Sequence, residues 1–184
     1  ANEEIPLDRA VKDALVTISG GSTGGHSGEC LVVELTNLSD QPISTTIPAG
    51  WLMQNSDPEA QDLMIVDRQP VVLPAYGSKS VTCKAYCVES SDSSPEPGVG
   101  LRSMGLAQPT WVKLAEHLVK NPVDESTTQA AVWAVANEHD IAGIDPGAIS
   151  LRKFVAELTG RKVPWYAKNY APPTEEGRVF SNSA

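Results

Sequence analysis

The feature that most constrains this chain is a change of hydrophobic period at about residue 107. Before it, apolar residues alternate in short runs broken by Gly, Pro, Asn and Asp, the pattern of strands and turns. After it they recur at helical spacing. Strands followed by helices predict an α+β chain. Strands this short, with turns between them, predict an N-terminal antiparallel β-sandwich over residues 1–106, Ig-like in plan. A C-terminal bundle of about three helices over residues 107–160 is expected to pack on it. The Pro-containing residues 161–184 are expected to form an extended tail.

Individual elements follow from local pattern. Residues 5–15 carry Leu7, Ala10, Val11, Ala14 and Leu15 at helical spacing, a short entry helix. A strand is expected near Val16, then a flexible Gly-rich loop over residues 20–28. In 29–36, Leu31, Val33 and Leu35 share one face. Shorter strands are expected at 43–47, 51–54, 63–66 and 71–73. Residues 79–88 read as the best strand, with Val81, Cys83, Ala85 and Cys87 on one face and Tyr86 on the other. Residues 90–100, SSDSSPEPGVG, read as a surface link. The first helix has Pro109 near its start, and the second follows Asp124 or Ser126 as N-cap. That second helix is almost wholly apolar over 130–136 and should be the most buried. The third has Asp145 as N-cap, Pro146 at its first position and Gly160 at its end.

Hydrophobic residues make up 41% of the 184 and charged residues 20%, which places the chain among globular proteins rather than disordered ones. A net charge of −9 argues against nucleic acid and anionic membranes as partners. No basic run exceeds Arg161-Lys162, and no apolar stretch approaches a membrane span. Such acidity suits a secreted or periplasmic protein, with Ala1 a residue that cleavage of a signal segment would leave. No cofactor is implied.

Cys30, Cys83 and Cys87 are an odd set: one disulfide with a spare thiol, or three buried thiols. On one strand Cys83 and Cys87 would lie roughly 13 Å apart at about 3.3 Å per residue, too far for a bond. Cys30 is then the natural partner for one of them, Cys87 first. His26 and Cys30, four apart, could join a second cysteine in a zinc or copper site, although no tight second ligand pair supports it. His117 reads as a helix-surface residue and His139 as a helix C-terminal cation. The loop GGHSG fails as a nucleophile elbow because Glu29 stands where the last glycine should be. It leads into a strand rather than a helix, so it also fails as a phosphate cradle.

Tyr86-Cys87 at a strand end, with Thr128-Gln129-Ala130-Ala131-Val132-Trp133 on a helix, resembles the thioester domains of Gram-positive surface adhesins. That resemblance implies Cys87 as nucleophile on the Gln129 amide. Loss of ammonia would leave an internal thioester that a partner's amine captures. The stretch from Leu35 to Gly50 resembles extracytoplasmic Ig-like bacterial domains, a likeness of fold alone.

Trp51 and Met53, beside a turn in an aromatic-poor chain, are candidates for a sugar- or peptide-binding edge, or else core residues. Asn37-Leu38-Ser39 is a glycosylation sequon at a turn, relevant in a eukaryotic source. No acid–base pair, triad or metal motif stands out. The expected function is therefore a non-enzymatic binding or structural module for a protein or carbohydrate ligand. The Cys87–Gln129 covalent-attachment domain is the alternative, and a metal-binding protein the third.

Overall fold

The computed structural model describes residues 4–162. A short helix, α1 (Leu7–Lys12), leads into β1 (Val16–Ser22), β2 (Leu31–Asn37), β3 (Ile43–Ile47), β4 (Trp51–Asn55) and β5 (Leu63–Ile65). Then come β6 (Gln69–Leu73), β7 (Ser78–Cys83), β8 (Ala85–Cys87) and β9 (Gly100–Leu106). Helices α2 (Pro109–Lys120), α3 (Glu125–Ala136) and α4 (Ile149–Thr159) follow, with a 3₁₀ turn at Ile141–Gly143. The expected tail beyond residue 162 lies outside the described residues.

The expected Ig-like sandwich is not formed. Seven strands make one antiparallel sheet in the order β7-β2-β1-β9-β4-β5-β8, and β3 and β6 pair separately. The reason lies at Lys84. What reads as one strand over 79–88 breaks there into β7 and β8, which stand at opposite edges of the sheet. A single residue joining the two edges requires the sheet to curl until they meet, giving a half-barrel. The Lys84 N–H leaves the ladder and donates to Asp67 Oδ2 at 3.1 Å.

The curl creates two cores. Its concave side is filled by Leu31, Val33 and Leu35 of β2, by Ile43, Ile47, Val71 and Leu73 of the β3–β6 pair, and by Leu7 and Ala10 of α1. The helices bury Leu114, Leu118, Ala131, Val132, Leu151 and Val155 against the other face of the β5–β8 end. Alternation along β5 sends Leu63 and Ile65 into the first core and Met64 into the second. In β8 it sends Ala85 and Cys87 one way and Tyr86 the other. Strands covered on both faces need unbroken apolar runs, which is why both read so.

Local expectations fared unevenly. The Leu31/Val33/Leu35 face of β2 is fully buried. Asp124 caps α3, accepting from the Thr127 N–H at 2.7 Å. Helix α4 begins at Ile149 rather than Pro146, because Asp145 heads a separate turn that bonds Ala148 and Gly147. Strand β9, at the centre of the sheet, follows the 90–100 link and carries no clear strand alternation of its own. No helix among the described residues is long and apolar enough to cross a membrane.

Candidate functional site

Helix α3 lies along the β8 edge and presents Gln129, Trp133 and, just past its end, Asn137 to it, residues four apart on one helical face. Gln129 is 4% exposed and both halves of its amide are used on one residue. Its Oε1 accepts from the Cys87 N–H at 3.1 Å, and its Nε2 donates to the Cys87 carbonyl at 2.8 Å. One step along, Asn137 Nδ2 donates to the Val88 carbonyl at 2.9 Å while its Oδ1 accepts from the Ser90 N–H. A buried strand edge carries backbone groups that must be paired, and here side-chain amides pair them.

The other cover of this edge is the Gly-rich loop. The His26 carbonyl accepts from the Cys87 N–H at 2.9 Å and the Gly28 carbonyl from the Ala85 N–H at 2.8 Å. Far from being a free connector, the loop is docked. Ser27 Oγ donates to Glu125 on α3 at 2.6 Å, and Gly28 has φ +76°, where a Cβ would be strained and would stand 2.7 Å from the Glu125 carboxylate, forcing that side chain aside.

Cys87 is fully buried, and its thiol donates to the Glu89 carbonyl at 3.1 Å. Burial pushes its pKa up; the nearby Trp133 indole and the Glu89 carbonyl pull it back. The Trp133 N–H is buried and meets no acceptor with hydrogen-bond geometry. His26 stacks on Trp133, with ring centroids 6.2 Å apart, and His139 meets it from another side at 5.7 Å. Ser94 and Ser90 hold these two histidines at Nδ1 and Nε2. Together they roof the Cys87–Gln129 pair. Thr128, next to Gln129, donates its hydroxyl to the Asp124 carbonyl at 2.8 Å, within the first turn of α3.

The expected disulfide is not formed: Cys30, Cys83 and Cys87 are all free and buried. Each thiol points at a main-chain carbonyl instead of at another sulfur. Cys30 reaches Ala85 at 3.4 Å and Cys83 its near neighbour Val81 at 4.0 Å. Burial drives the Cys30 pKa up to about 11 and that of Cys83 to about 12. His26 and Cys30 flank the same edge, but no cluster of three or more His, Cys, Asp or Glu able to hold a metal occurs among the described residues. Trp51 and Met53 are interior, 1% and 0% exposed, with the Trp51 indole donating to Ser103 Oγ at 2.8 Å. Asn37 of the sequon is 1% exposed and bonds the Gln41 and Pro74 carbonyls through Nδ2. His117 is less a surface residue than expected. It stacks on Phe154 at 3.7 Å, and burial lowers its pKa.

One group escaped the sequence. Glu89 lines a cleft of about 970 Å³ together with Asn55, Asp62 and Arg102. A smaller pocket of about 290 Å³, which Glu89 also lines, reaches toward Trp111 and Asn137. Desolvation and the neighbouring Asp92 raise the Glu89 carboxyl to about 7. Local sequence supplies Asp92, three residues on, but not Asp62, which comes from the segment before β5, nor the burial.

No family model, no curated protein and no solved structure matches the chain.

Proposed function

We propose that this chain is a covalent-attachment module, in which Cys87 and Gln129 condense to an internal thioester that a partner's amine later opens. The single observation that carries this is the clamp: one buried glutamine amide held by both ends on the backbone of one buried cysteine. The resemblance of Tyr86-Cys87 and T-Q-x-A-x-W to adhesin thioester domains supports the same reading. In formation, the Cys87 sulfur attacks Gln129 Cδ, and negative charge develops on Oε1. The Cys87 N–H already donates to that oxygen, the position from which a donor stabilises a tetrahedral intermediate. The C–N bond then breaks, and Nε2 leaves as ammonia with the thiol proton. A buried thiol with a raised pKa makes this step slow near neutrality and faster with rising pH. The roof of Trp133, His26 and His139 would keep water from the product. An extracytoplasmic location belongs to this proposal, since the partner's amine would be met there.

Intact-mass measurement of protein purified without reductant tests it. We expect a mass one ammonia below the sequence value, raised by one water on hydroxide treatment (leaving a glutamate at 129), raised by one methylamine on methylamine addition, and at the full sequence value in Gln129→Ala. A full mass in the unmodified protein would overturn the reading. The chain would then be a non-covalent binding module, for which the open cleft beside Glu89 is the observation in favour.

A further inference from the structure

We propose that the cleft beside Glu89 is one end of a groove that seats an extended peptide of a partner protein, with an arginine side chain between Asp62 and Glu89 and a neighbouring apolar side chain in the smaller pocket. The binding is non-covalent and stands apart from the thioester reading, because neither Cys87 nor Gln129 lines the groove.

Shape is the first support. The cleft of about 970 Å³ and the pocket of about 290 Å³ share Gln54, Asp62 and Glu89 as common walls. That pocket in turn shares Trp111, Ala136 and Asn137 with a third hollow, of about 430 Å³, between the start of α2 and the end of α3. Joined through common walls, the three make one run from β1 and β9, across β4, to the helices. An extended chain fits such a run, whereas a single compact ligand fills one hollow and leaves the rest.

The chemistry along the run is the second support. Its middle is apolar, lined by Leu52, Met53, Val88, Met104 and Trp111. Met104 is 49% exposed, an apolar side chain left to solvent beside Trp111. The charged side chains of the whole run are Asp62, Glu89 and Glu138 against Arg102 alone. Among the described residues Arg102 forms no ion pair; its guanidinium donates to Gln54 Oε1 at 2.8 Å and reaches Met104 Sδ at 3.6 Å. Asp62 and Glu89 lie close together, the Asp62 N–H donating to Glu89 Oε2 at 3.3 Å. Two adjacent carboxylates without a counter-ion draw a cation. A planar guanidinium bridges such a pair, where an ammonium meets it as a point charge.

An unanswered donor is the third. Asn55 lines the cleft and is 6% exposed. Its Oδ1 accepts from the Asp57 N–H at 2.9 Å, while its Nδ2 has no partner among the described residues. A buried amide donor without an acceptor is costly, and a main-chain carbonyl of the peptide answers it. Cation, apolar group and carbonyl occur together in a peptide. A polyamine lacks the carbonyl and a neutral sugar lacks the charge.

The same crowding makes the groove sensitive to pH. Asp62, Asp92 and the Cys87 thiol surround the Glu89 carboxyl, with Arg102 on the cleft wall. Burial first, and then Asp92, raises that carboxyl to about 7. A bound guanidinium favours the ionised form, so affinity falls as pH drops through 7 and recovers above it.

Affinity selection tests this, using pools of short acetylated, amidated peptides with one position fixed as Arg, Lys, Gln or Glu. Calorimetry then follows on the selected Arg peptide and its Gln twin. We expect the Arg pool to be enriched, with an apolar residue favoured near the Arg, and the Gln twin to bind about tenfold more weakly. Glu89→Gln and Asp62→Asn should each remove most of that ratio, and each amide keeps an oxygen for the backbone N–H it now answers. Glu34→Gln, at an exposed position of β2 outside the groove, should change affinity by less than about twofold. Met104→Ser should erase the apolar preference and keep the Arg preference. Wild-type affinity should rise from about pH 6 to about pH 8, and Glu89→Gln should flatten the rise. An unenriched Arg pool, or an Arg preference untouched by both Glu89→Gln and Asp62→Asn, would overturn the proposal. Arg-selective binding by protein whose mass shows no ammonia loss would sink the thioester reading alone. Ammonia loss without Arg-selective binding would sink the groove alone.

Discussion

The two edges of the curled sheet begin one residue apart in sequence and end in opposite conditions. Strand β7 is mostly exposed along its length, whereas every residue of β8 is buried. Each ends in a buried cysteine, Cys83 on one and Cys87 on the other. At Cys83 there is only packing: its thiol is far from any good acceptor, and burial sends its pKa to about 12. At Cys87 the edge is covered by a loop from one side and a helix from the other, and the covering brings a glutamine amide, an indole and a carboxylate together. An open edge can be left to solvent with polar side chains. A buried one must have its backbone groups answered by something, and what answers them here is a glutamine amide and the carbonyls of a loop.

The largest way to break this contrast is to remove the amide clamp. Gln129→Ala leaves the Cys87 carbonyl buried and unpaired, and should cost about 2–3 kcal/mol in denaturant unfolding relative to protein whose Gln129 amide is intact. Cys83→Ala, at the other edge, loses a sulfur from packing and should cost about 1 kcal/mol. Equal costs would mean that the β8 edge is held by packing alone. Next in size is the loop. Gly28→Ala places a Cβ against the Glu125 carboxylate at φ +76°, and about 2 kcal/mol should be lost. The same change should speed reaction of the Cys87–Gln129 bond with added methylamine in the native state and leave Cys83 unalkylated, which intact-mass labelling would show.

How much of this was legible in the sequence divides along the same line. The β2 face, the strand at β5 and the α3 cap, at Asp124 of the two candidates, are set by local pattern, and they formed where the pattern put them, whereas β8 formed apart from the single 79–88 strand expected. The Cys87–Gln129 juxtaposition was legible only through a motif, since nothing in periodicity says that α3 covers that edge. Three things were hidden. The corner at Lys84 interrupts a perfect alternation because a side chain from Asp67, distant in sequence, captures its N–H. Central strand β9 has two glycines and only Leu101 buried, so its place is fixed by neighbours β1 and β4 rather than by its own pattern. The charge crowding at Glu89 needs Asp62, from the segment before β5, as well as the neighbouring Asp92. Curl and loop convergence are long-range properties, and the sandwich expectation failed for that reason.

A smaller effect separates the edges by pH. Burial raises the pKa of Cys83 to about 12 and of Cys30 to about 11, against 9.0 for an unperturbed thiol. Above about pH 9 the unfolded chain loses thiol protons that the native state keeps. Stability is therefore full below pH 9 and declines as pH rises toward the folded values. Urea midpoints at pH 8 and pH 10 should show this decline, and Cys83→Ala should remove its share of it. A decline untouched by either Cys83→Ala or Cys30→Ala would place the alkaline sensitivity elsewhere, with the β8 edge and its Cys87 the first alternative.

The smallest expected change is on the outward side of β7. Thr82 is exposed and pairs with Val32 across the ladder, and its side chain makes no hydrogen bond. Thr82→Ala should shift stability by no more than about 0.5 kcal/mol, since neither burial nor an unpaired backbone group is at stake. The substitution matters as a control on the contrast itself. If Thr82→Ala cost as much as Gln129→Ala, the β7 edge would be covered by something in solution, such as a second copy of the chain. Sedimentation at two concentrations would then separate a self-associating edge from an open one. A small cost with a single monomeric species would leave β8 as the edge whose covering the fold depends on.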